Sequence, residues 1–254
     1  MGSGREVVPE AGMQMVQMGS GSGRRVWVTA RDERVCEWLR IVRVTDVQAI
    51  RWLLGVLNDS DGPVSTRRAQ EWVARMELVG LIERQNLGGP GGSIIWGTFE
   101  ATGQSRPNIH RQTTRHEVAV SAVSARYLAA GFAWRRDERP AYAGGHQADG
   151  VAIGLRANEL IEVELTPKRA PRYASILAAY QRRLEYGDAA RVAYLCTDDA
   201  ARAVRKALHE SPAGRDIAAR VAVRSVFDQR GALRDAARDR LVSEDAAILL
   251  ADEG

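Results

Sequence analysis

The sequence predicts two mixed helix-and-strand domains in one chain, an α+β first half and an α/β second half. Three observations predict it. Apolar residues recur at helical spacing through the first half until a Gly/Pro turn flanked by β-rich runs. Helical and strand-like segments then alternate to about residue 227. The chain's 254 residues are 45% hydrophobic and 27% charged, enough for packed cores, and at roughly 100–200 residues per domain the length suits two small domains.

Residues 1–23 are rich in Gly, Met and Ser without a sustained period, which reads as a disordered tail. A first domain is expected over 24–103. Its first helix, Ala30 to Val42, aligns Val35, Trp38, Leu39 and Val42 on one face. Thr45-Asp-Val-Gln48 has the pattern of a capping box opening a helix with Val47, Ile50, Leu53 and Leu54. Ser65 can cap a third helix whose apolar face is Ala69, Val73, Met76 and Val79, and Gly80 stops it. Leu81 to Gln85 and Ser93 to Phe99, about a Gly-Gly-Pro-Gly-Gly turn, make a hairpin.

Three short helices and a hairpin make a winged helix-turn-helix. The run Met76-Glu-Leu-Val-Gly-Leu-Ile-Glu-Arg84 resembles the L-x-x-x-G-L-I-x-R passage that leads into the wing of many bacterial winged-helix domains, with Met76 at the leucine position. The third helix offers Thr66, Arg67, Arg68, Gln70 and Arg75 as candidates for contacts to double-stranded DNA. Arginine and glutamine make bidentate contacts to base edges in the major groove. Arg84 and the wing tip would reach phosphate or the minor groove. Charge agrees: residues 24–115 carry 14 Arg against 10 acids, whereas 116–254 carry 21 basic against 20 acidic residues. A winged helix that binds protein through an arginine-dressed helix is the alternative.

A polar stretch over 104–115 reads as a linker, followed by a second domain over 116–230. Its expected elements are a helix from Glu117 to Ala130, strands at 131–136, 148–155 and 160–166, a helix from Pro171 to Tyr186, a strand at 192–196, a helix from Asp198 to Glu210 and a last strand at 221–227. That order gives an αβββαβ core with a mixed sheet. Residues 231–254 are expected to form a mixed-charge surface or dimer helix and a tail.

The chemistry of the second half rests on acids. Alternation in Leu160-Ile-Glu-Val-Glu-Leu165 sends Glu162 and Glu164 to one face and Ile161, Val163 and Leu165 to the other. Two acids on an otherwise apolar strand are costly unless a cation or an arginine holds them. Asp149, on the preceding strand, would join Glu162 on one hard cation such as Mg2+ or Mn2+. Such a metal would bind a phosphate oxygen and activate water for phosphodiester hydrolysis. The competing reading pairs Glu162 and Glu164 with Arg172, Arg182 or Arg183.

Asp149 followed by Glu162-Val-Glu164 on this core resembles the PD-(D/E)XK nuclease superfamily, with its restriction-endonuclease-like fold. The run from Glu162 to Lys168, with the later Tyr180, is more narrowly similar to actinobacterial replication-relaxation family proteins. Those join a winged helix to a nuclease-like domain and are linked to plasmids and other mobile elements. The resemblance implies Asp149 and Glu162 as metal ligands, Glu117 as an auxiliary ligand and metal-dependent endodeoxyribonuclease activity. Glu164 stands where the superfamily usually has lysine, and Lys168, beyond Pro167, is the candidate to supply that ammonium. Ala148 replaces the motif's proline.

Other classes are set aside. No apolar run approaches the roughly 20 residues that span a bilayer, and the amino terminus lacks a signal-peptide core, so no membrane partner and a cytoplasmic location are expected. There is no G-x-x-x-x-G-K-[ST] or G-x-S-x-G motif, so no nucleotide cofactor or serine nucleophile is expected. His116 and His146 read as ordinary polar residues. Alternatives from other classes are a non-catalytic transcription regulator, binding DNA as a homodimer, and a replication or transfer assembly factor with a degenerate nuclease fold.

Overall fold

The computed structural model describes residues 14–16, 26–86, 92–138, 140, 144–234 and 241–242. The glycine-rich turn expected as a wing tip, the rest of the expected amino-terminal tail and the end of the chain lie outside them. Within the stretch expected to be a tail, Gln14–Val16 (β1) pairs antiparallel with Val26–Val28 (β2).

In the first half, Ala30–Val42 (α1) starts at Thr29, which forms a reciprocal capping box with Asp32. The expected capping box at Thr45 is corrected. Thr45–Asp46 is a short strand (β3), and Asp46, accepting from the Ala49 amide, caps Val47–Val56 (α2). Strand pairing of Thr45 with Ile95 takes its backbone away from the helix start. Thr66–Val79 (α3) is capped by Ser65 and ended by Gly80 in the left-handed region, as the sequence indicates. Ile82–Asn86 (β4) and Ser93–Gly97 (β5) form the hairpin, giving a three-stranded sheet in the order β3-β5-β4. A short helix, Phe99–Thr102 (α4), follows. Val35, Leu39, Ile50, Leu53, Val73, Met76, Ile82 and Ile95 form the core beneath these elements.

Thr114–Ala129 (α5) begins earlier than expected and serves two cores. Ala125 packs with α1–α3, while Ala119, Val120, Val123 and Tyr127 pack on the second sheet. Trp38 Nε1 donates to Ser124 Oγ at 2.9 Å, and Ser121 Oγ donates to Thr45 Oγ1 at 3.0 Å. The polar stretch before α5 also packs, because Ile109 is buried with Val44 and Trp96.

The second sheet comprises Ala133–Arg135 (β6), Gly150–Ile153 (β7), Asn158–Glu164 (β8), Arg191–Cys196 (β9) and Val221–Ser225 (β10), in the order β10-β9-β8-β7-β6. β6, β7 and β8 pair antiparallel, and β8, β9 and β10 pair parallel, so the sheet is mixed. α5 covers one face, while Ala170–Glu185 (α6) and Asp198–Glu210 (α7) cover the other. Pro212–Ile217 (α8) and the 3-10 turn after it were not foreseen. The segment from Gly231 does not open as a helix, since Leu233 bridges Phe227 in extended form.

Candidate functional site

The sheet register assembles the acids. Gly150 pairs with Ile161, so Asp149, one step earlier, stands opposite Glu162 on the neighbouring strand, and the Asp149 amide donates to the Ile161 carbonyl at 3.0 Å. Alternation along β8 holds as expected: Ile161 and Val163 face the α5 side, and Glu162 and Glu164 lie on the other face with Leu160. Burial is the surprise, because Glu162 and Glu164 are only 4% and 5% exposed.

Each acid holds donors from the protein. Asp149 Oδ2 accepts the Val163 amide at 2.8 Å, and His116 Nε2 lies 3.1 Å from it and 3.0 Å from the Val163 carbonyl. Glu162 Oε1 accepts from His146 Nε2 at 2.8 Å and from the Tyr180 hydroxyl. Glu164 Oε2 is ion-paired with Lys168 Nζ, although β8 ends before Pro167. These bonds use one oxygen of each carboxylate and leave the second oxygen of each out.

The electrostatics follow from crowding and burial. Burial, then the charge of Asp149, pushes Glu162 above the ordinary carboxylate range against the pull of its His146 and Tyr180 bonds. Burial likewise raises Glu164, Lys168 only partly offsets it, and Glu162 and Asp149 add to the rise. For His116 burial disfavours the cation, but the bond to Asp149 and its charge, with the Val163 carbonyl and the charge of Glu162, together outweigh burial and raise the ring.

Not every expected residue joins the centre. Glu117 lies half-buried one position after His116, and its charge acts on Arg136, whose own pKa burial lowers. His116 is the side chain of that helical turn that reaches Asp149. The arginine pairing of the competing reading is corrected. Arg183 forms a buried ion pair with Asp137 at 2.6 Å, Arg182 donates to the Gly144 carbonyl, and Glu162 is held by a histidine and a tyrosine. Sequence reasoning read His116 and His146 as ordinary polar residues, used Tyr180 only as part of a resemblance, and passed over Tyr173 and Tyr194. The one signal was spacing, with His146 three residues before Asp149 and Tyr180 following on the next helix.

A further buried acid sits on the opposite face. Glu159 accepts from the Tyr127 hydroxyl at 2.8 Å and lies 2.8 Å from Arg191 Nε. It is a structural ion pair beneath α5.

No three His, Cys, Asp or Glu side chains among the described residues gather closely enough to enclose a metal ion. The donor chemistry nevertheless suits a hydrated hard cation, which takes one or two carboxylates and keeps its waters. Asp149 and Glu162 offer paired oxygen donors, and the fully buried Tyr194, paired with Glu162 on the next strand, has a hydroxyl without a hydrogen-bond partner among the described residues.

On α3, Thr66, Arg67, Arg68 and Gln70 are exposed. Arg67 is 88% exposed and ion-paired only with Glu71 of its own helix. Arg84 is ion-paired with Glu77 at 3.0 Å. Arg75 is placed differently: its guanidinium donates to both oxygens of the buried Asp32 at 2.6 and 3.0 Å and to the Trp27 carbonyl, which spends it on the fold. A groove of about 910 Å³ runs beside this helix, lined by Trp27, Arg31, Leu54, Arg68, Trp72 and Leu78.

Among the described residues no helix is long and apolar enough to cross a membrane. Comparison with protein-family models, with curated proteins and with solved structures returned no match.

Proposed function

We propose that this chain is a double-stranded-DNA-binding protein with a winged helix and a PD-(D/E)XK-like second half, acting in DNA replication or processing. The plasmid or mobile-element setting rests on the resemblance to replication-relaxation proteins. The observation that carries the reading is the convergence of Asp149 and Glu162 across adjacent strands, with Glu164 two residues on, Asp149 raising the charge cost of Glu162 and both raising that of Glu164. A cluster of that kind, in a chain whose other half carries the exposed Arg67 and Arg68 on one helix face, suits phosphodiester chemistry.

Asp149 and Glu162 would hold Mg2+ or Mn2+, which supplies Lewis-acid polarisation of a phosphate oxygen and a more acidic bound water. His116 and His146 hold the two carboxylates in orientation. Lys168 is engaged with Glu164, so its ammonium is tied to the strand and not free for a phosphate. Glu117, the auxiliary ligand that the resemblance implies, stands outside this centre, with His116 beside it bonded to Asp149.

A second reading is favoured by one observation: every acid already has a protein donor. A nuclease-like fold kept as a scaffold for regulation or assembly would look like this. Gels separate the two. Supercoiled, linear and branched DNA are incubated with the protein in EDTA, Mg2+ or Mn2+, with Asp149→Asn and Glu162→Gln alongside. Metal-dependent cleavage lost in both variants supports the nuclease. Band shifts without cleavage, equal in all three proteins, overturn catalysis and leave the scaffold reading.

A further inference from the structure

We infer that Tyr194 is a positioning residue of the acidic centre, its hydroxyl hydrogen-bonding a water carried by a divalent cation on Asp149 and Glu162. The inference rests on the metal-binding reading above and names a residue that reading does not use.

The placement comes from the sheet. β8 and β9 are parallel and pair Glu162 with Tyr194, so the two side chains stand side by side on the face covered by α6. Three buried tyrosines line that face. The Tyr180 hydroxyl donates to Glu162, and the Tyr173 hydroxyl accepts the Lys168 amide at 3.1 Å. Tyr194 is 0% exposed, its ring lies edge-on to Tyr180 at 6.2 Å, and its hydroxyl has no partner among the described residues.

A buried hydroxyl without a partner is rare in proteins, and each one asks for an unseen water or ion. The apolar side chains of the core cluster it belongs to, such as Leu160 and Val192, cannot satisfy it. The charged groups that act on it are Glu162 and then Glu164, which, after burial itself, keep the phenol protonated and therefore a donor. A water bridging the phenol O–H to the Glu162 carboxylate would supply the missing partner. In a site built for a hydrated hard cation, that water belongs to the metal's own shell. Tyr194 would orient the shell without touching the metal.

The test is Mn2+ binding without DNA, read from the electron paramagnetic resonance signal of free Mn2+. Wild type is compared with Glu162→Gln, Tyr194→Phe and Tyr127→Phe. Tyr127 lies on the opposite face of the sheet, bonded to Glu159, and controls for loss of stability alone. Wild type is expected to bind and Glu162→Gln to lose the site. Tyr194→Phe should bind at least about tenfold more weakly, as removal of an outer-shell partner does, yet melt no lower than wild type in EDTA. Tyr127→Phe should melt lower with Mn2+ affinity unchanged. Wild-type affinity in Tyr194→Phe would overturn the inference and mark an ordinary buried water. No Mn2+ binding by wild type would overturn the metal reading as well.

Discussion

Asp32 holds the amino-terminal half together through one carboxylate. It accepts from Arg75, from Trp72 Nε1 at 2.7 Å, and from the amide and hydroxyl of Thr29. Burial alone would raise its pKa; the bonds from Arg75, Thr29 and Trp72 outweigh burial and hold it below the ordinary 3.8. A depressed folded-state value means the clamp contributes fully above pH 3.8 and is lost as pH falls through the lower folded value. Asp32→Ala should cost about 3 kcal/mol at pH 7, because it leaves Arg75 and Trp72 without their acceptor. The gap between variant and wild-type urea midpoints should narrow below that window, and a gap independent of pH would contradict the clamp. At this scale the sequence was a partial guide. The acids at 149, 162 and 164 stand out because charge on an apolar strand is costly. Arg75 could not be told from Arg67, because the partner that claims it lies 43 residues away in sequence.

Elements were more legible where a local pattern is strong. Ser65 and Gly80 bracket α3, and the alternation of β8 sorts its side chains, because capping and pleat depend only on neighbours in sequence. The start of α2 was misplaced because Thr45 and Asp46 are both good caps, and cross-strand pairing with β5 decides between them. The histidines joined the site for a similar reason: only the packing of α5 against β8 brings His116 to Asp149. Strand β7 shows another non-local demand. A Cβ at Gly150 would lie 2.1 Å from the Trp134 ring on β6, so the strand passes there only with a glycine. Gly150→Ala should therefore cost about 1–3 kcal/mol by overpacking, read from the shift in urea midpoint. An unchanged midpoint would mean that Trp134 moves aside freely.

Across the whole molecule, α5 joins the first half to the acidic half. It contributes Ala125 to one core and Val120, Val123 and Tyr127 to the other, and its first turn carries His116 into the site. The order of the longer elements, the mixed sheet and the division of charge were legible in the sequence, whereas β1, β3 and α8 were not. That a helix read as belonging to the second half is shared by both was not, because helical period does not say which of two cores a face meets. The DNA-binding proposal requires that α3 present its exposed Thr66, Arg67, Arg68 and Gln70 to duplex DNA. The most direct measurement is fluorescence anisotropy of a labelled duplex titrated with wild type and with Arg67→Ala/Arg68→Ala, in EDTA over a range of salt. The account predicts binding that weakens steeply with salt, an affinity drop of at least about tenfold in the double variant with its melting temperature unchanged, and a shallower salt slope as phosphate contacts are lost. Equal affinity and equal slope in the two proteins, or no binding at low salt, would contradict it.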